Sequence, residues 1–213
     1  MSAERVIRIA EREMGYTESP PGSNRTKYGA AYGLDGYDWC VMFLWWCFRE
    51  AGQSEAFYGG GRTASCGALM RWYQSRGRWF PAGYQPGDVV ILNFSGTQDT
   101  EHCGLVTEVH PDGSVTTVEG NTTPGLEGSQ SSGGSVARKR RYPRYILGAC
   151  RPDYAAAPAT DWETHWAAAA IRLVTEKGLM RGYPDGSFRP EQPVTRAELA
   201  EVLRRLITQE DIK

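Results

Sequence analysis

The sequence predicts an α+β protein carrying a small second module, and three observations lead there. Up to about residue 76 apolar residues recur at helical spacing, whereas from Tyr84 short β-type runs alternate with tight turns. Helices first and strands afterwards, joined by short turns, is the pattern of helices packed on an antiparallel sheet. The small, apolar, Pro-containing stretch Ala155 to Thr160 then reads as a linker, and helical patterning resumes beyond it. The expected organisation is one domain over 1–154, a linker over 155–160 and a second domain over 161–213.

In chain order, Val6, Ile7, Ile9, Ala10 and Met14 lie on one helical face that Gly15 ends. Residues 18–29 form a polar loop punctuated by Pro20, Pro21 and Gly22, the kind of segment that carries substrate contacts beside a catalytic helix. A second helix is expected from Cys40 to about Ala51, stopped by Gly52, with Val41, Leu44, Trp45 and Phe48 buried and Cys47 as a small core residue. The turn Gly59-Gly60-Gly61 leads to a third helix, about Ser65 to Arg76. Strands are expected over 89–94, 102–110, 114–119, about 136–142 and 146–151, with Pro111-Asp112-Gly113 as a hairpin turn. Gly125 to Gly134 reads as a mobile Gly/Ser-rich loop. In the second module a helix over 166–177 ends at Gly178, a tight loop spans 181–190, and Thr195 with Glu198 forms a capping box for a last helix.

The 213 residues suffice for one ordinary domain and a small one, and 40% hydrophobic with 23% charged residues is globular composition. The net charge of −1, balanced in both halves, gives no reason to expect a nucleic-acid partner. The one dense basic cluster, Arg138-Lys139-Arg140-Arg141, reads as a solvated strand or turn face. No stretch is long and apolar enough for a membrane span, so no membrane partner is expected. The N-terminus carries charge where a signal peptide has its apolar core, so synthesis in the cytoplasm without general export is expected. Five cysteines, Cys40, Cys47, Cys66, Cys103 and Cys150, have no CxxC spacing, so free thiols are expected, not a disulfide framework or a zinc site.

The chemistry centres on Tyr37-Asp38-Trp39-Cys40, a short loop that turns into an apolar helix. A cysteine on the first turn of a helix meets outward-pointing N–H groups and the positive end of the macrodipole, and both favour the nucleophilic thiolate. Such a nucleophile needs a base and a group that holds the base. His102 opens a strand and can face the helix N-terminus. His110 lies beside a hairpin and His165 in the second module. Cys103 points to the opposite face from His102, and Cys66 is a weaker rival nucleophile without the aromatic setting of Cys40. Glu119 and Asn121, flanking Gly120 at the end of the next strand, can each accept from an imidazole N–H. Cys, His, then Glu or Asn gives the roles of an acyl-transfer triad, with the third member open between the two.

The blocks Asp38-Trp39-Cys40, Gln85-Pro86-Gly87-Asp88-Val89-Val90, Glu101-His102-Cys103-Gly104-Leu105-Val106 and Val118-Glu119-Gly120-Asn121-Thr122 resemble the CHAP family, the cysteine, histidine-dependent amidohydrolases/peptidases. The resemblance covers about residues 3–152 and implies a papain-like α+β fold that cuts amide bonds of bacterial peptidoglycan. It implies Cys40 as nucleophile, His102 as base, and Glu119 or Asn121 as the residue orienting His102. The loop with Asn24 and Tyr28 is similar to the substrate-side loop of phage-type members, which makes Asn24, Tyr28 and Trp39 the expected substrate-binding residues. Some members bind calcium just before the cysteine. Here Asp35 and Asp38 offer few oxygen ligands, so no cofactor is expected, with calcium the one metal the resemblance leaves open.

His165-Trp166-Ala167, residues 182–190 and Val194-Thr195-Arg196-Ala197-Glu198 resemble one S-layer homology repeat, which implies a small all-α module binding secondary cell-wall polysaccharide in Gram-positive envelopes. Trp166, Asp185 and Arg196 are its expected glycan contacts, Arg196 offering a planar fork for a carboxylate. The family carries three repeats and this chain one. A lone repeat leaves its apolar face uncovered, so a homotrimer through the second domain is expected. Together the resemblances imply a phage endolysin reaching the wall after holin-type release, cutting either the muramoyl–alanine amide or a stem or bridge peptide. The rival is a binding protein that holds peptidoglycan without cutting it.

Overall fold

The computed structural model describes residues 2–125, 133–154, 161–183 and 187–210. The chain divides into two compact units, Met1–Ala155 and Ala156–Lys213. The expected linker, most of the loop over 125–134, and Asp185 lie outside the described residues.

The first unit is α+β. Helices α1 (Ser2–Arg12), α2 (Lys27–Tyr32), α3 (Cys40–Glu50) and α4 (Cys66–Gln74) precede strands β1 (Trp79–Phe80), β2 (Val89–Leu92), β3 (His102–Val109), β4 (Val115–Thr122), β5 (Ser135–Arg141) and β6 (Ile146–Cys150). The strands form one sheet in the order β1-β6-β2-β3-β4-β5, antiparallel at every described pairing. Two elements escape sequence reading because they are short. Helix α2 sits within the polar loop, capped by Thr26 Oγ1 accepting from Gly29 N–H, and β1 has two residues. The β4 strand also runs three residues past its expected end.

Strand alternation sends each sheet face to a different environment. Ile91, Cys103, Leu105 and Val118 join the main core with Val6, Ala10 and the buried face of α3. Val90, Leu92, Val106, Val115, Ile146 and Ala149 form a smaller cluster of their own. Helix α3 is buried along nearly its whole length and packs against β3 and β4. Its approach needs Gly120, where a Cβ would stand 2.6 Å from Phe43 Cβ and 2.8 Å from Trp39. Before it, Tyr28 stacks on Trp39 with ring centroids 5.4 Å apart and meets Phe43 edge-on at 5.1 Å.

The basic run on β5 is a correction to the sequence reading. Alternation splits it: Arg138 and Arg140 pair at the surface with Glu11 (2.7 Å) and Asp112 (3.0 Å), whereas Lys139 and Arg141 are buried. Burial is tolerable because each charge has a partner. Lys139 Nζ donates to Thr123 Oγ1 (3.1 Å) and Arg141 pairs with Glu119.

In the second unit the described elements are α5 (Ala168–Glu176) and α6 (Arg196–Glu210). The capping box forms as expected: Glu198 Oε2 accepts from Thr195 N–H (2.8 Å) and Thr195 Oγ1 from Glu198 N–H (3.2 Å). Asp161 ties the loop, accepting from Phe188 N–H (2.7 Å) and Arg189 N–H (2.6 Å). Leu199, Leu203, Leu206 and Ile207 are all exposed along α6.

Candidate active site

Cys40 is the first residue of α3. The helix begins with Phe43 N–H donating to the Trp39 carbonyl (2.9 Å), so the N–H groups of the first turn have no intrahelical acceptor. The residue is buried, at 5% exposure. It does not stand alone. The sulfurs of Cys40, Cys66 and Cys103 all lie within 4.8 Å of one another, with Cys40 and Cys66 3.9 Å apart. Hydrogen bonding from the Cys103 and Cys66 thiols, helped by His102, holds Cys40 well below the usual thiol range against the opposing effect of burial. Cys103 and Cys66 are held well above it, each beside a thiolate and buried.

His102, fully buried at the start of β3, is 3.0 Å through Nε2 from Glu119 Oε2. Burial by itself would lower its pKa, but hydrogen bonding with Cys40 and Glu119 prevails and raises it to about 9. Its Nδ1 is buried and has no hydrogen-bond partner among the described residues. The loop entering the strand is anchored by Glu101, which accepts from Phe94 N–H (2.7 Å).

Glu119 is held in turn. Arg141 donates from Nε (2.8 Å) and Nη2 (2.5 Å), and Thr117 Oγ1 donates at 2.6 Å. Burial works to raise the Glu119 carboxyl, yet Arg141 and His102 bring it down to about 2. Gly104 makes room: a Cβ there would sit 2.7 Å from Glu119 Cγ.

Of the two residues left open as the partner of His102, Glu119 makes the contact. Asn121 lies at a break in the β4–β5 register with φ of 55°, a left-handed conformation that Asn tolerates. Its amide donates to Asp38 (3.2 Å) and its carbonyl accepts from Gly134 N–H (3.3 Å), so it braces the loop before Cys40. Tyr28 and Trp39, expected at the substrate, are fully buried and form packing beneath the site. Asn24 stays partly exposed in a loop clasped by Glu18, whose Oε2 accepts from Asn24 N–H (3.0 Å). Asp35 and Asp38 each spend an oxygen on a protein donor, Thr26 N–H (2.9 Å) and Asn121, and no carboxylate cluster joins them among the described residues. The residues described there do not fit a calcium site.

Sequence reading missed the part Arg141 plays, and it did not foresee that Cys66 and Cys103 gather at Cys40. Arg141 was hidden in a charge run whose alternation on a strand was its only signal. The cysteines are 26 and 37 positions apart and carry no local one.

In the second unit Trp166 is 89% exposed and precedes α5, and Arg196 opens α6 in the open. A groove lined by Tyr183, Phe188, Arg189, Glu198 and Arg205 includes neither of them.

The family model for the CHAP domain matches residues 32–121, and the model for the S-layer homology domain matches residues 160–200. Residues 32–121 are thus similar to CHAP domains and residues 160–200 to S-layer homology domains. Cell surface glycoprotein 1 of Acetivibrio thermocellus is 52% identical over 54 residues, 25% of this chain and 2% of that protein. The cellulosome-anchoring protein of the same organism is 51% identical over 45 residues, 21% of this chain and 10% of that one. Outer membrane protein SlpA of Deinococcus radiodurans is 47% identical over 45 residues, 21% and 4% of the two chains. The chain thus spans a tenth or less of these relatives. Among solved structures, the crystal structure of Ly7917 is similar at 16% identity over 71% of this chain and 63% of that one, with a TM-score of 0.42. Among the described residues no helix is long and apolar enough to cross a membrane.

Proposed function

We propose that this chain is a peptidoglycan hydrolase whose papain-like CHAP domain cuts an amide bond by a thiol mechanism, and whose S-layer homology domain binds wall polysaccharide. The observation that carries the reading is the buried series Cys40, His102, Glu119 and Arg141, in which each charge stabilises the next. The Cys40 thiolate attacks the amide carbonyl while N–H groups of the first turn of α3 receive the oxyanion. His102 gives its proton to the leaving amine, leaving a thioester on Cys40. It then takes a proton from water, whose oxygen attacks the thioester, releasing the carboxylic acid and restoring the Cys40 thiolate beside protonated His102. Glu119 is the positioning residue for His102, Arg141 fixes Glu119, and Asn24 is the substrate-side contact. The bond is the muramoyl–alanine amide or a stem or bridge peptide bond.

The finer parts of the proposal are a phage endolysin setting, glycan contact through Trp166 and Arg196, and a homotrimer. Trp166 offers an exposed aromatic face for a sugar and Arg196 a fork for a carboxylate. The apolar face of α6, Leu199, Leu203, Leu206 and Ile207, supports self-association, because it repeats at helical spacing and is exposed.

Mass spectrometry of fragments released from Gram-positive peptidoglycan by the wild type and by Cys40→Ala tests the activity. New free amino groups from the wild type alone are the expected result, and their masses name the bond. Absence of cleavage across several wall types sinks the catalytic reading. Co-expression with a holin tests the setting: host lysis is expected only with both.

A further inference from the structure

We propose that Cys40, Cys66 and Cys103 form a binding site for one thiophilic divalent ion of the zinc class, and that an ion bound there holds the enzyme off by taking its nucleophile as a ligand. The second clause rests on the hydrolase reading above. The first stands on geometry alone.

The three sulfurs arrive from separate elements: Cys40 opens α3, Cys66 opens α4 and Cys103 lies at the start of β3. A tetrahedral thiolate site with metal–sulfur bonds of about 2.3 Å places its sulfurs roughly 3.8 Å apart. Cys40 and Cys66 already stand 3.9 Å apart, and all three pairs fall within 4.8 Å. Closing the third sulfur onto an ion therefore takes a shift of no more than about 1 Å. A single buried cysteine is ordinary core packing. Convergence of three from sequence-distant elements, with their sulfurs within 4.8 Å of one another, is not explained by packing volume.

Charge and access also fit. Three thiolates around a dication leave one net negative charge, and two ligands stand at the N-termini of helices of 11 and 9 residues, whose dipoles favour it. All three residues are buried, Cys40 and Cys66 at 5% and 7% exposure and Cys103 at 0%, so the cluster lies nearest the surface on the side of Cys40 and Cys66. An ion would enter from that side, with a solvent oxygen as the fourth ligand of a tetrahedral site. Binding converts three thiols and one ion into a tris-thiolate and three protons. Where Cys40 is already a thiolate beside protonated His102, the third proton leaves from His102. No redox step is involved.

The test uses the full chain, stripped by a chelator, kept reduced by a phosphine and titrated with cobalt(II), then with zinc. Thiolate-to-cobalt charge-transfer absorption with tetrahedral ligand-field bands, saturating at one equivalent, releasing three protons and bleached by zinc, is the expected result. Cys66→Ser and Cys103→Ser should each weaken binding by about 100-fold or more, since loss of a ligand exceeds the roughly 10–100-fold cost of losing an outer-shell partner. Cys47→Ala, outside the cluster, should leave the bands unchanged. Lack of charge-transfer absorption, or its survival in both serine variants, overturns the site. Should a variant misfold, alkylation of wild-type Cys40 decides: zinc must protect it, and an unchanged rate overturns the proposal. Wall digestion by the chelated protein is read separately. Cleavage without cobalt bands sinks the metal site and spares the hydrolase, whereas bands without cleavage do the reverse. Bands together with cleavage unaffected by zinc overturn the holding-off clause alone.

Discussion

The Nε2 of His102 meets a carboxylate that a guanidinium already holds, and the signs of the two pKa shifts set the pH behaviour. His102 is raised from 6.5 to about 9. Its contribution to stability is complete below about 6.5 and is lost as pH rises through about 9. Glu119 is lowered from 4.5 to about 2. Its contribution is complete above about 4.5 and is lost as pH falls through about 2. Both are whole between about 4.5 and 6.5, where urea midpoints should be highest. The alkaline limb of kcat/KM should fall near pH 9, as the imidazolium loses the proton it gives to the leaving amine. Glu119→Gln should move that limb to lower pH, and an unmoved limb would remove Glu119 from the positioning role. Gly104→Ala should push Glu119 off His102 and lower kcat while Cys40 still alkylates. Wild-type kcat in that variant would show that the Glu119 contact is dispensable.

At the scale of the element, β5 matters more than its surface-like composition suggests. It delivers Arg141, fully paired, to a carboxylate with no exposure. Removing one partner of a buried pair strands the other charge, at a cost of about 3–5 kcal/mol. Arg141→Ala should show that loss in urea denaturation at neutral pH, and Arg141→Ala with Glu119→Gln should recover part of it, because the stranded charge is gone. Additive losses would mean the two residues do not act as a pair. Helix α3 has a comparable dual role: its apolar faces fill the core, and that packing points its N-terminus at β3. Gly120 permits the approach.

For the whole molecule, the decisive feature is that the last helix of the second unit leaves apolar side chains in solvent. Exposed Leu203 stands at 47% and Ile207 at 61% in an isolated copy. Light scattering at micromolar concentration should give three times the chain mass. Leu203→Glu should return it to one chain and weaken wall binding more than it changes hydrolysis of soluble fragments, because only avidity is lost. A monomeric mass for the wild type would refute the trimer.

Local chemistry fixed much of this in the sequence. Helical and alternating periodicity marked α1, α3, α4 and five of the six strands, and the Thr195–Glu198 box marked α6, since each depends on neighbours a few residues apart. Cys40 and His102 were legible because a helix start and a strand start are local features. Folding alone decided which of Glu119 and Asn121 meets His102. A break in register and a left-handed Asn121 turn two residues that simple alternation would leave equivalent. Folding also buried Tyr28 and Trp39 under the site, split the basic run into surface and core, and gathered Cys40, Cys66 and Cys103. Those outcomes depend on how α3, α4 and the sheet pack across long sequence separations, which no window of sequence contains.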